Sequence, residues 1–171
     1  MSIIVETGAV VAGANSYISV ADANTYHSTY GNTDWDATGA TDYTAALIVA
    51  TQALDAFYGQ KYMSAITVGS PQSLLWPRLI FWDKYGRIRQ GATVPTEIKQ
   101  AQAEFALLYA NGTDLFPQLD PNNQLLDQTT KIGEMMIKTV YVKPTPVANF
   151  RKVDLILAPI LNTGSSGNRV R

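Results

Sequence analysis

The sequence lacks cysteine and contains a single histidine, His27. Without thiols, the chain can form neither disulfide bonds nor thiolate metal sites. With one imidazole it has no histidine cluster and no HExxH motif, so the usual histidine-based zinc sites are excluded. We expect His27 to face solvent on a helix rather than to act in catalysis.

Charged residues and long apolar runs are also scarce. Charged residues make up 16% of the 171 residues, whereas 46% are hydrophobic. Soluble domains typically carry about 25% charged residues, so this balance indicates that extra surface is buried against partners. No window approaches 18 apolar residues, and we expect no membrane span. The start MSIIVETGAVV has neither the basic region nor the apolar core of a signal peptide.

Lysine and arginine are absent from residues 1–60, which carry six acidic residues. Residues 61–171 carry all 13 basic residues and the other eight acidic ones, which gives this part a net charge of +5. Two interpretations are open. The asymmetry reflects solvated faces arranged by chance, or it marks a subunit that meets neighbours of opposite sign and presents an acidic surface to DNA it must not hold.

Three segments have the apolar spacing of amphipathic helices. Ser19 is a good N-cap with Asp22 three residues on, so the first helix is predicted to begin there and to end at Gly31. The second is predicted over about residues 42–58, followed by glycine. The third is predicted over about residues 95–110, where a proline fits the first helical turn.

The remaining segments are less regular. Residues 113–128 are predicted to be a loop, and the β-branched, Met-rich residues 131–142 predict one strand or a hairpin. A short last helix is predicted over residues 153–160, which Pro159 would kink or end. The tail, residues 162–171, is rich in Gly, Ser and Asn and cannot fold alone.

The predicted fold is mainly α. We expect a small helical bundle with a short β-hairpin or strand insertion and an extended C-terminal arm. Residues 1–161 would form the helical domain and residues 162–171 the flexible arm.

The search for catalytic arrangements yields nothing that we expect to act. Asp34 and Asp36 lie in a DWD sequence that lacks the further oxygen ligands of a calcium site. The tail sequence GSSGNR lacks the glycine-lysine ending of a phosphate loop. Ser16 and Ser19 have no base partner. We therefore expect no enzymatic activity, no metal and no cofactor.

One segment interleaves aromatic and basic side chains, the combination that single-stranded DNA sites use for stacking bases and neutralising phosphates. A structural interpretation opposes this one, because Trp76-Pro77 resembles a buried turn and the runs LLWP and LIFW are apolar. Asp83 and the acidic first third also argue against a general DNA surface. The members of the segment are Trp76, Arg78, Trp82, Lys84, Tyr85, Arg87 and Arg89.

Five short motifs, by their order and spacing, resemble a family of tailed-phage proteins. They are the block ANSYISVADANTY, an alanine-rich helix that ends in LDAFY, the turn WPR, the helix VPTEIKQAQAEFA and the segment VDLILAPIL. The resemblance covers residues 3–161. It is to head-tail connector (adaptor) proteins, a family whose sequences also carry the label DnaT-like single-stranded DNA-binding.

The resemblance implies a structural virion protein that forms a ring, typically of twelve subunits, between portal and tail and passes the genome through its lumen. Expected partners are further copies of the chain, the portal protein, a tail or tail-completion protein, and double-stranded DNA in transit, with no membrane. The expected location is the virion neck, after assembly in the host cytoplasm. The alternative function is that of a single-stranded DNA-binding protein of a DnaT-like type.

The connector interpretation assigns roles to three groups of residues. The C-terminal arm would order on the portal, the WPR turn and its neighbour would pack against another subunit rather than stack on bases, and acids of an exposed loop would line the lumen. The portal residues would be Asn162, Thr163, Arg169, Val170 and Arg171, the packing residues Trp76, Arg78 and Trp82, and the lumen residues Asp34 and Asp36.

Overall fold

A computed structural model describes residues 2–37, 43–63, 67–69, 71–90, 93–116, 127–132, 135–140 and 150–162. The chain divides into two compact units, of which the first consists of Met1–Leu115 and Phe150–Arg171 and the second of Phe116–Asn149. The first unit contains α1 (Val20–Thr29), α2 (Thr33–Ala37), α3 (Tyr43–Tyr58), β1 (Ile80–Trp82), β2 (Ile88–Gln90), α4 (Thr96–Ala110) and α5 (Arg151–Leu157). The predicted mainly α fold is confirmed.

Helix α1 begins as the sequence predicts. The Asp22 backbone N–H donates to the Ser19 hydroxyl at 3.1 Å, and the Ser19 N–H donates to the Asp22 carboxylate at 3.0 Å. This reciprocal pair satisfies two N–H groups that a helix start leaves free. Tyr30 caps the C-terminal end, and Gly31 follows at a φ of 65°, where a side chain would be strained.

Helices α3 and α4 form the centre of the first unit. Leu47, Ala50 and Leu54 on α3 are fully buried, as are Ile98 and Phe105 on α4. The predicted apolar stripes are therefore confirmed at these positions, whereas Tyr109, the last residue of the predicted stripe on α4, is 39% exposed. Fully burying one such large side chain contributes about 1.5–3 kcal/mol, so these stripes dominate the stability of the unit.

Gln102 of α4 is a polar residue inside this core. Its Nε2 donates to the Ser16 hydroxyl at 2.6 Å and to the Leu47 carbonyl at 3.0 Å, while its Oε1 accepts from the Tyr17 N–H at 3.0 Å. A buried amide is tolerated only when its partners are present. Gln102 thereby fixes the N-terminal segment against α3 and α4.

Helix α5 confirms the predicted last helix, although it begins two residues earlier, at Arg151, and ends at Leu157. Pro159 lies beyond the helix because its ring has no N–H to continue the ladder. The Lys152 ammonium binds Glu104 of α4 at 2.7 Å, and the Tyr58 hydroxyl donates to Asp154 at 2.6 Å. Both contacts hold α5 to the α3–α4 pair.

The second unit contains an antiparallel hairpin of β3 (Asp127–Ile132) and β4 (Met135–Val140). Of the two predicted alternatives for residues 131–142, the hairpin is correct. The first strand, β3, begins at Asp127, inside the predicted loop of residues 113–128. All six residues of β4 pair with residues of β3, so β3 must extend back to Asp127 to supply the sixth partner.

The predicted division between residues 1–161 and residues 162–171 stays a prediction, since residues 163–171 lie outside the described ranges. Within those ranges, no helix has the length and apolar character that crossing a bilayer requires.

Candidate nucleic-acid interface

The WPR turn lies inside the first unit. Trp76 is fully buried, with the rings of Tyr62 and Phe81 edge-on at centroid distances of 5.3 and 5.0 Å. The Arg78 guanidinium covers the Tyr62 and Trp76 rings at 5.1 and 5.5 Å, and its Nε donates to the Leu75 carbonyl. We call Trp76, Arg78 and Tyr62 the buried anchor. These side chains are not accessible to a nucleic acid.

The β1–β2 hairpin follows the buried anchor and is attached to two other segments by backbone hydrogen bonds. The Trp82 N–H donates to the Met63 carbonyl at 3.0 Å, and the Lys84 N–H donates to the Pro159 carbonyl at 2.8 Å. Met63 in turn donates to the Ile160 carbonyl at 3.1 Å. The hairpin is therefore held to the chain that follows α5.

Asp83 organises the hairpin turn. Its carboxylate accepts from the N–H groups of Tyr85 and Arg87 at 2.9 and 3.0 Å and from Arg87 Nε at 2.7 Å. Desolvation opposes ionisation, but these donors outweigh it and lower the pKa of Asp83. Gly86 supplies the left-handed backbone of the turn, with a φ of 74°. The Asp83 carboxylate is therefore held within the hairpin turn by three donors.

The outer face of the hairpin carries exposed apolar and aromatic side chains. Burial alternates along β1, where Phe81 is 3% exposed and Trp82 is 41% exposed. Trp82 pairs across the ladder with Ile88, and Tyr85 at the tip is 69% exposed. We call this surface the hairpin face; its members are Leu79, Ile80, Trp82, Tyr85 and Ile88.

The tryptophans assigned to subunit packing thus have different surroundings. Trp76 and Arg78 pack within the chain itself, whereas Trp82 is exposed on the hairpin face. Contact of these three residues with another subunit stays a prediction.

Three cations lie along the hairpin. The Lys84 ammonium and the Arg87 guanidinium each lie 5.0 Å from the centroid of the Tyr85 ring. The Arg89 guanidinium covers the Phe81 ring at 5.3 Å, and its Nη1 binds the Glu97 carboxylate at 2.6 Å. Aromatic rings attract cations held over their faces, so these positive charges are positioned before any ligand binds.

A cleft of about 440 Å³ opens beside the hairpin. Two guanidinium groups, two carboxylates and apolar groups form its walls. We call it the hairpin cleft; its lining residues are Asp83, Tyr85, Arg87, Ile88, Arg89, Glu97 and Pro159.

The acids assigned to a lumen lie on a helix, which corrects the expected loop. Asp34 and Asp36 are exposed on α2, and Trp35 between them is 1% exposed. The Trp35 Nε1 donates to Asn24 at 2.8 Å, and its ring stacks on Tyr43 at 4.2 Å. Burial of this one ring fixes the short helix, and both carboxylates then point outward.

His27 is buried, which corrects its expected exposure. Its ring stacks on Trp35 at 4.4 Å, and the Asn32 amide lies 3.1 Å from Nδ1. Burial lowers the pKa of His27. The spacing of Val20, Ala23 and His27, which places all three on one helix face, is the signal that would have predicted this.

Of the residues assigned to the portal, the structure describes Asn162, which is exposed and whose N–H donates to the Lys61 carbonyl at 2.7 Å. Thr163, Arg169, Val170 and Arg171 lie outside the described residues. Among the residues that are described, no group of three or more His, Asp or Glu side chains could hold a metal ion.

Searches of curated proteins and of solved structures returned no match. A family model with the description "Putative DnaT-like ssDNA binding protein" matches residues 1–171. This match corrects the main functional prediction, because it supports the alternative and not a ring-forming virion connector. The portal, the tail protein and the virion neck rest on the connector interpretation alone and lose their support with it.

The motifs that suggested a connector explain the error in physical terms. Tyr17, Trp76 and Ile98, which belong to three of them, are all buried in the core. Packing residues determine a fold, and a fold by itself does not determine a function. The chain belongs to the DnaT-like family whose model spans it from Met1 to Arg171.

Proposed function

We propose that the protein binds single-stranded DNA and that the hairpin face is the contact surface. The observation that carries the proposal is the exposure of Trp82 and Tyr85, 41% and 69%, directly beside Lys84 and Arg87. Exposed rings that stack on bases and adjacent cations that contact phosphates are the two components of single-strand sites. The family match over the whole chain supports the same function.

Trp82 is the ring that we expect to stack on a base. Tyr85 already has Lys84 and Arg87 against its ring, so it serves to position those cations. Trp82 lies outward on β1, beside the exposed Ile88 of β2. A base stacked on this indole would also cover part of the Ile88 side chain.

The rings favour a single strand over a duplex. Bases in a duplex already stack on one another, so an exposed indole has no free base to cover unless the strands separate. The hairpin offers three cations, of which Arg87 and Arg89 are partly compensated by Asp83 and Glu97. We therefore expect few phosphate contacts, and a salt dependence of about 0.7 logarithmic units per contact.

Tryptophan fluorescence tests the proposal directly. The chain has three tryptophans, and Trp35 and Trp76 are 1% and 0% exposed. Stacking on Trp82 should therefore quench the exposed part of the emission when an oligothymidylate is added. Trp82→Phe should remove that response while retaining oligonucleotide binding in an anisotropy titration.

A duplex of the same length serves as the competitor. We expect it to displace the labelled single strand poorly at moderate salt. Equal competition by the duplex, or quenching that persists in Trp82→Phe, would show that the hairpin face is not a single-strand site.

A further inference from the structure

We infer that the hairpin cleft, which adjoins the stacking surface at Trp82, is a binding site for the phosphate of a single nucleotide. The inference deepens the proposed function and rests on it for the class of ligand. It depends on the arrangement of two guanidinium groups in one cleft, which can be tested without a DNA strand.

The two guanidinium groups keep unused donors. Arg87 bonds Asp83 through Nε, and Arg89 bonds Glu97 through Nη1. A guanidinium has five N–H donors in a planar fork, so each group retains N–H groups for a further acceptor. The Arg87 and Arg89 side chains are 72% and 39% exposed, which leaves them accessible from the cleft. Two such forks match a phosphate, whose oxygens accept paired N–H bonds.

The two carboxylates in the cleft have different roles. Asp83 is saturated by the hairpin turn. Glu97 holds Arg89 through Oε1, while its Oε2 is buried and has no hydrogen-bond partner among the described residues. The Glu97 charge therefore orients Arg89 and at the same time repels an anion. Removing that charge but keeping the hydrogen-bonding oxygen should strengthen phosphate binding.

The remaining walls limit the size and chemistry of the ligand. Ile88 and Pro159 are apolar and suit a sugar and the face of a base. Ligand pockets usually measure about 300–1,000 Å³, and a cleft of about 440 Å³ is near the lower end of that range. The cleft thus has room for one nucleotide, and the rest of a bound strand would continue over the hairpin face.

The test uses the full chain and two small probes, thymidine 5′-monophosphate and thymidine, titrated by NMR. The monophosphate should shift the Arg87 and Arg89 side-chain N–H signals, and thymidine should bind at least about tenfold more weakly because it lacks the acceptor for two charge-assisted bonds. Comparable binding of the two probes would overturn the inference.

Three substitutions should change the affinity for the monophosphate in different ways. Arg89→Gln should weaken monophosphate binding about tenfold, and Glu97→Gln should strengthen it. Lys99→Gln is the matched control, because Lys99 is exposed on α4 and does not line the cleft. If Lys99→Gln weakened monophosphate binding as much as Arg89→Gln, the effect would come from the net charge of the protein. That result would refute the site.

Arg89 packs over Phe81, so its replacement could disturb the hairpin. Arg87→Gln, at a more exposed position, provides the second variant and should also weaken the monophosphate. Trp82→Ala distinguishes the inference from the proposed function, because it should weaken oligonucleotide binding much more than monophosphate binding. If oligonucleotides fail to bind while the monophosphate binds, the proposed function fails and the cleft site stands.

Discussion

The buried anchor and the hairpin face use the same residue types in opposite ways. In the buried anchor, Trp76 and Arg78 are 0% and 6% exposed, and the cation covers the indole inside the core. On the hairpin face, Trp82 is 41% exposed, and the Arg87 side chain next to the Tyr85 ring is 72% exposed. An aromatic-basic composition therefore does not define a nucleic-acid site; the exposure of each ring decides whether it can stack on a base.

The largest difference expected between the two regions is in stability. Trp76→Ala would leave a cavity between Tyr62 and Phe81, and truncation of a fully buried indole typically costs about 3–5 kcal/mol. Trp82→Ala removes a side chain that water already contacts and should cost less than about 1 kcal/mol. Urea denaturation of both variants measures the contrast. Equal losses of free energy of unfolding would mean that Trp82 is also part of the core.

A second contrast concerns two carboxylates. Asp55 accepts from the Tyr17 hydroxyl at 2.7 Å and from the Leu75 N–H at 3.2 Å, next to the buried anchor, and burial raises its pKa to about 6. Asp83 in the hairpin turn has a lowered pKa. The two acids should therefore affect stability in opposite directions as the pH falls.

The sign for Asp55 follows from proton binding. Between about pH 4 and pH 6 the folded state holds a proton that the unfolded state has lost, so the free energy of unfolding decreases as the pH rises through this window. Asp55→Asn should abolish that decrease, which we expect to be on the order of 2 kcal/mol. Urea denaturation at pH 4 and at pH 7 measures the free energy of unfolding of wild type and variant. The change of their difference between the two pH values isolates the contribution of Asp55. A difference that does not change with pH would contradict the raised pKa.

Local signals predicted much of the fold, because caps and apolar spacing act within one helix. Ser19 with Asp22 and the proline before α4 gave the helix starts, and the alanine-rich stripes gave the core of α3 and α4. The predicted burial of Trp76 is also confirmed, but the exposure of Trp82 was not predictable in this way, since Trp82 follows a similar apolar run. Their difference depends on Tyr62, Met63 and Pro159, which distant parts of the chain supply.

Binding gives the third contrast. Trp82→Ala should weaken oligothymidylate binding by about 1–3 kcal/mol, the usual contribution of one stacked base, with little change in stability. The control is Tyr30→Ala, since Tyr30 is 60% exposed at the end of α1, away from the hairpin in sequence and in its hydrogen bonding. Anisotropy titrations compare the two variants. A similar loss in both would indicate nonspecific adhesion to exposed rings rather than a site on the hairpin face.

The smallest expected effect is that of removing a single cation. It tests whether the charges of the hairpin, unlike that of the buried anchor, contact phosphates. Lys84 lies against the Tyr85 ring, whereas Arg78 is enclosed in the buried anchor and cannot reach a strand. Lys84→Gln should lower the slope of log affinity against log salt by about 0.7, the contribution of one phosphate contact to single-strand binding.

Lys99→Gln removes an equal charge from exposed α4 and should leave the slope unchanged. Because counterion release responds to local contacts, the two slopes distinguish a phosphate contact at the hairpin from the net charge of the chain. Identical slopes for Lys84→Gln and the wild type would show that Lys84 contacts no phosphate, even if Trp82 remained necessary for binding.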